Sequence, residues 1–129
     1  MHPALARLLH DYRAAVQQAL GLMEKSGIAL PASNQEWLAG PVPEHGLLQG
    51  GIRYFKHGYG CSVQLPEGTV DFDFGEQGQT NGVSPGALLH YAGSKLSAYG
   101  FDDETEFLAC FEQALAQGEL HDSGYLLYY

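Results

Sequence analysis

The chain has 129 residues, 45% of them hydrophobic, with six Lys and Arg against fifteen Asp and Glu and a net charge of −9. That length predicts a single globular domain over residues 1–129 with one real core. No run of about 18 apolar residues is present to span a membrane, and too few bases cluster to grip nucleic-acid phosphates.

The charge is uneven. Through Pro66 the chain is net +1; from Glu67 onward it carries eleven acids and one base, Lys95, a net of −10. A block of one sign either keeps the surface soluble or favours a basic partner. The opening Met1-to-Arg13 stretch lacks the basic and then unbroken apolar regions of a secretory signal. The two cysteines, Cys61 and Cys110, make no disulfide framework and read as buried thiols of a reducing compartment. A cytoplasmic location is expected.

The first helix is predicted over roughly residues 4–25. Pro3 suits a first turn, and Leu5, Leu8, Leu9, Tyr12, Val16, Leu20 and Met23 repeat at the spacing of one buried face. Gly27 suits a left-handed helix end. Residues 28–50, broken by three prolines and three glycines, read as a long irregular binding loop, with Trp37 covering an end of the core.

Three strands follow, at Ile52–Lys56, Cys61–Leu65 and Thr69–Phe74, joined by turns at 57–60 and at Pro66-Glu67-Gly68. Val70, Phe72 and Phe74 alternate with Thr69, Asp71 and Asp73, so one face is core and the other carries two carboxylates about 7 Å apart. Gly75–Gly82 reads as a polar turn. Ser84 and Pro85 open a helix holding Leu88, Leu89, Tyr91, Ala92 and Leu96, weakened by Gly86 and Gly93. Asp103 with Glu106 forms a capping-box pattern for a last helix, whose stripe is Phe107, Leu108, Phe111, Ala114 and Leu115 and which Gly118 ends. Asp102, Asp103, Glu104 and Glu106 crowd its N-terminus, where the helix dipole favours negative charge. The Gly124–Tyr129 tail reads as a strand docked on the sheet edge or as an exposed aromatic patch that serves a homodimer equally well.

Strands grouped together predict an α+β fold: a small antiparallel sheet of three to four strands packed with an N-terminal helix and two C-terminal helices. The β unit brings His57, Cys61, Asp71 and Asp73 near one another, and all four are metal-ligand types. The His-x3-Cys spacing is no known finger pattern, so the favoured role for this motif, with Gly58 and Gly60, is structural. Asp71 and Asp73 are expected to accept backbone N–H bonds from Gly58 or Gly60. The stretch from Asp71 has an Asp-x-Asp start, but position 12 of a calcium loop is Gly82. Cys61 with His57 and an Asp can be written as a triad, yet plain strand follows the cysteine where a nucleophile elbow is required. No Walker or Rossmann glycine pattern occurs.

Tyr54-Phe-Lys-His-Gly-Tyr-Gly-Cys61, then Val70-Asp-Phe-Asp-Phe-Gly75, then a polar turn and a helix resemble a family of small uncharacterised bacterial proteins, a domain of unknown function. The resemblance covers about residues 50–95. Ser84-Pro-Gly-Ala87 stands where a Trp-containing run belongs in that family. It carries over no catalytic residue. In size, acidity and lack of catalytic motifs such proteins resemble the immunity proteins of bacterial toxin systems. The resulting expectation is a non-enzymatic binding protein without cofactor, whose partner is a basic toxin domain. Asp102, Asp103, Glu104, Glu106, Glu76 and the 28–50 loop are its expected contacts. A small metal-dependent or cysteine enzyme centred on residues 53–75 and an adaptor module are the alternatives.

Overall fold

The computed structural model describes residues 1–28, 34–40, 42–57, 60–75, 78–79, 84–123 and 126–128. The fold is α+β, and its contacts group into two compact units. One comprises Ala15–Thr80; the other joins Met1–Ala14 to Asn81–Tyr129. Helix α1, Pro3–Lys25, contributes its second half to the former and its first half to the latter.

In the Ala15–Thr80 unit, α1 ends as expected. Gly27 takes a φ of 79°, and the Ile28 amide reaches back to the Met23 carbonyl at 3.0 Å. Ordered elements then occupy part of the region read as irregular: helix α2, Asn34–Ala39, and strand β1, His45–Leu47. Neither was legible, because six and three residues are too few for a period to show among prolines and glycines. Strands β2 (Arg53–His57), β3 (Gly60–Leu65) and β4 (Gly68–Gly75) match the three predicted strands to within a residue or two. A two-residue strand β5, Gly78–Gln79, falls inside the predicted polar turn.

The five strands form one antiparallel meander in sequence order. Its buried face includes Tyr54, Cys61, Val63, Val70 and Phe72. The second half of α1 lies on this face, where Met23 Sδ meets Cys61 Sγ at 3.9 Å. Helix α2 packs on β4. Trp37 is 2% exposed, and its indole N–H donates to the Gly60 carbonyl at 3.0 Å.

In the other unit, Ser84 caps helix α3, Pro85–Ala92, accepting from the Ala87 amide at 3.1 Å. The helix predicted to run on through Leu96 is broken. Gly93 takes a φ of 52°, and after one turn of 3-10 helix the chain re-forms as the short α4, Leu96–Tyr99. Gly100 ends that turn at a φ of 113°. A Cβ there would stand 3.4 Å from the Ala4 methyl, so this glycine serves both conformation and close approach.

Helix α5, Glu104–Ala116, follows. Phe107, Phe111 and Ala114 are buried, whereas Leu108 is 38% exposed, contrary to the predicted stripe. The 107–111–114 spacing already fills the inward face, and Leu108 lies about 100° round the helix from Phe107. Phe101 and Phe107 meet edge to face at 5.4 Å and 89° within a core that also holds Leu5, Leu8, Tyr12 and Tyr91. The tail forms strand β7, Leu126–Tyr128, paired with β6, His121–Ser123, in a separate two-stranded sheet. The expectation that it docks on the edge of the larger sheet is thus corrected.

Among the described residues, no helix is long and apolar enough to cross a membrane.

Candidate functional site

Strand register decides which side chains of the β unit can act together. Cys61 pairs with Phe72, and Ser62 pairs with Asp71. Directly paired residues share a face, and neighbours along a strand alternate. Cys61 therefore belongs to the buried face and Asp71 to the other. Cys61 is 0% exposed, and burial first, then the charge of Asp71, push its thiol up to about 12. A thiol so placed stays protonated near neutral pH and is a poor nucleophile or metal ligand.

Asp71 accepts a hydrogen bond from the Ser62 hydroxyl at 2.6 Å. The predicted donors were glycine amides of the first turn. Gly58 lies outside the described residues, as do the side chains of His57 and Asp73 and all of Glu76. In register, Gly60 stands opposite both His57 and Asp73. Among the described residues, no group of three or more His, Cys, Asp or Glu could hold a metal ion.

The unburied face of the sheet includes two cross-strand rows that reach β1, beside the His57, Gly60, Asp73 register. One runs His45, Phe55, Ser62, Asp71 across β1 to β4. The other runs Leu47, Arg53, Gln64, Thr69. At the β1–β2 end, Leu47 is 68% and Phe55 40% exposed, with Arg53 also exposed. A hollow lies along this strand pair, lined by His45, Leu47, Arg53 and Phe55 among others. Of these, the aromatic ring and the arginine are the types enriched in protein-contact surfaces generally.

On the opposite face of β1, Gly46 lies against Tyr54. A Cβ on Gly46 would fall 2.7 Å from the Tyr54 ring. Lys56, also on the inner side, places its Nζ 5.1 Å from the centre of the Trp37 ring.

Sequence reading did not single out Arg53 or Phe55. The signal was present: Tyr54 and Phe55 are adjacent on a strand, so one of the two aromatics must face outward. Leu47 falls within the predicted binding loop, at residues that prove to be strand.

The acidic turn is in the other unit. Asp103 caps α5, accepting from the Glu106 amide at 2.8 Å, and Glu106 accepts from the Asp102 amide at 2.9 Å. The expected reciprocal cap is present, with Glu106 reaching one residue further back than in the usual box. Asp102, Asp103 and Glu104 are exposed and Glu106 is half-buried.

An antiparallel meander with one face covered by a helix and the other carrying Leu47, Arg53 and Phe55 defines a small α+β protein with an open sheet surface. Residues 5–129 match the family model of a domain of unknown function, DUF6896, and the chain belongs to that family. No curated protein and no solved structure matches it.

Proposed function

We propose that this protein acts by binding another protein, as a cytoplasmic immunity protein that covers a basic toxin domain of a bacterial system. The observation that supports a binding role best is the open sheet face, where Leu47, Arg53 and Phe55 stand exposed together. Exposed leucine and phenylalanine lose free energy to water that a partner surface recovers, and an adjacent arginine anchors polar groups at the centre of such contacts. The net charge of −10 from Glu67 onward favours a basic partner, since complementary fields speed encounter and reject like-charged proteins. Asp102 and Glu104 serve that steering role. No catalytic residue and no cofactor enters this reading.

Co-expression with the toxin-like product of a neighbouring gene tests it. Growth should be rescued and the two proteins should co-purify. Growth inhibition that persists beside abundant folded protein, with no co-purification, rejects the reading.

A further inference from the structure

The first turns of α1 and the α4 segment line an open groove of about 410 Å³ in the unit that joins Met1–Ala14 to Asn81–Tyr129. That is the size of pockets that hold small organic molecules. Ala6, Arg7, His10 and Asp11 line it from α1, and Lys95, Ala98 and Tyr99 from the other side. Lys95 is the one base in the sequence after Glu67, so the strongly acidic part of the chain places its single cation here.

The polar groups are held in order. Arg7 Nη2 donates to the Tyr99 carbonyl at 2.7 Å, a bond that uses one of five guanidinium N–H groups. The Tyr99 hydroxyl donates to Asp11 Oδ2 at 2.7 Å and so engages one oxygen of the only carboxylate in the lining. Burial, then that hydrogen bond, push the Tyr99 phenol up, which keeps it a donor. Lys95 Nζ stands 5.1 Å from the centre of the Tyr91 ring. Arg7 and Lys95 thus share the lining with one hydrogen-bonded carboxylate, in a chain whose net charge is −9. Local charge of opposite sign to the whole molecule marks a place suited to an anion.

We propose that this groove binds a small organic anion, a carboxylate or a phosphate monoester, with its charged end on Arg7 and Lys95 and its body against the alanine methyls and the Tyr99 ring. Guanidinium binds either oxyanion through paired N–H bonds, and ammonium adds a point charge. His10 supplies a further ring N–H or lone pair at the rim. The site is independent of the sheet face and does not rest on the toxin-binding reading.

The test is an amide NMR titration of the full chain with benzoate and with phenyl phosphate, using benzyl alcohol as the uncharged control. Saturable shifts at Arg7, His10, Lys95 and Tyr99 are expected with at least one anion and not with the alcohol. The tighter anion tells which oxyanion the groove prefers. Arg7→Gln and Lys95→Gln should each weaken that binding about tenfold by removing a charge-assisted contact. Asp11→Asn, which still accepts from Tyr99, should strengthen it. Absence of saturation with both anions, an equal response to benzyl alcohol, or undiminished affinity in both cation variants overturns the proposal.

Discussion

Ser62 and Asp71 face each other across β3 and β4, and the serine hydroxyl donates to the carboxylate at 2.6 Å. This bond ties the central strand β3 to its neighbour β4 on the unburied face. Ser62→Ala and Asp71→Ala should each destabilise the fold by about 1–3 kcal/mol, the usual cost of deleting one partner of a bond to a charged group. The double variant should lose much less than the sum of the two, because both remove the same interaction. Additive losses in urea unfolding would show that the bond contributes nothing to stability.

Cys61 should resist thiol reagents in the native state while Cys110, only half-buried, reacts. The Cys61 thiol is raised from 9.0 to about 12, so the folded state binds its proton more tightly than the unfolded chain. Its contribution to stability is full below pH 9.0 and declines as pH rises from there toward about 12. Time-resolved labelling at pH 8, with each cysteine followed by mass spectrometry, checks the order. Labelling of Cys61 as fast as Cys110 in folded protein would contradict the burial argument.

Gly46→Ala should cost about 1–3 kcal/mol, the typical penalty of overpacking. The new methyl would fall 2.7 Å from the ring of Tyr54, which is itself only 4% exposed and cannot swing into solvent cheaply. The expected readout is a lower melting temperature. An unchanged one would mean that β1 shifts freely at the sheet edge.

The acidic turn should separate into two behaviours. Asp103→Ala removes the α5 cap and should cost about 1 kcal/mol of stability. Asp102→Asn and Glu104→Gln, at exposed side chains, should leave stability nearly unchanged but slow association with a basic partner at low salt. Stopped-flow association at two ionic strengths distinguishes them. Identical on-rates for wild type and the Asp102/Glu104 variants would remove these acids from the contact surface.

The parts of the fold that could be read from sequence are those with a long period or an explicit punctuation mark. Leu5, Leu8, Leu9, Tyr12 and Met23 are buried as their spacing predicts, whereas Val16 and Leu20 of the same stripe are half-buried beside the buried Ala15 and Ala19; Gly27, Ser84 and Asp103 occupy the ends assigned to them. Strand β1 was missed because its partner is fixed by register with β2, a non-local contact that three residues cannot announce. In sequence Gly93 marks only a weak point of the helix, since a positive φ depends on what the following segment must do. The site was less legible than the fold. His57, Cys61 and Asp71 lie close in sequence, but the alternation of β3 and β4 puts Cys61 and Asp71 on opposite faces. The exposed Leu47–Arg53–Phe55 group emerges only when β1 is laid beside β2.

The central proposal is that the open sheet face is a protein-binding surface, and the affinity of the purified protein for a partner that co-purifies with it tests it most directly. Arg53→Ala and Phe55→Ala should leave the melting temperature nearly unchanged, because both side chains are exposed. Each should weaken binding by about 2 kcal/mol, roughly thirtyfold, mainly through faster dissociation. Wild-type affinity in both variants would contradict the account and place the contact elsewhere.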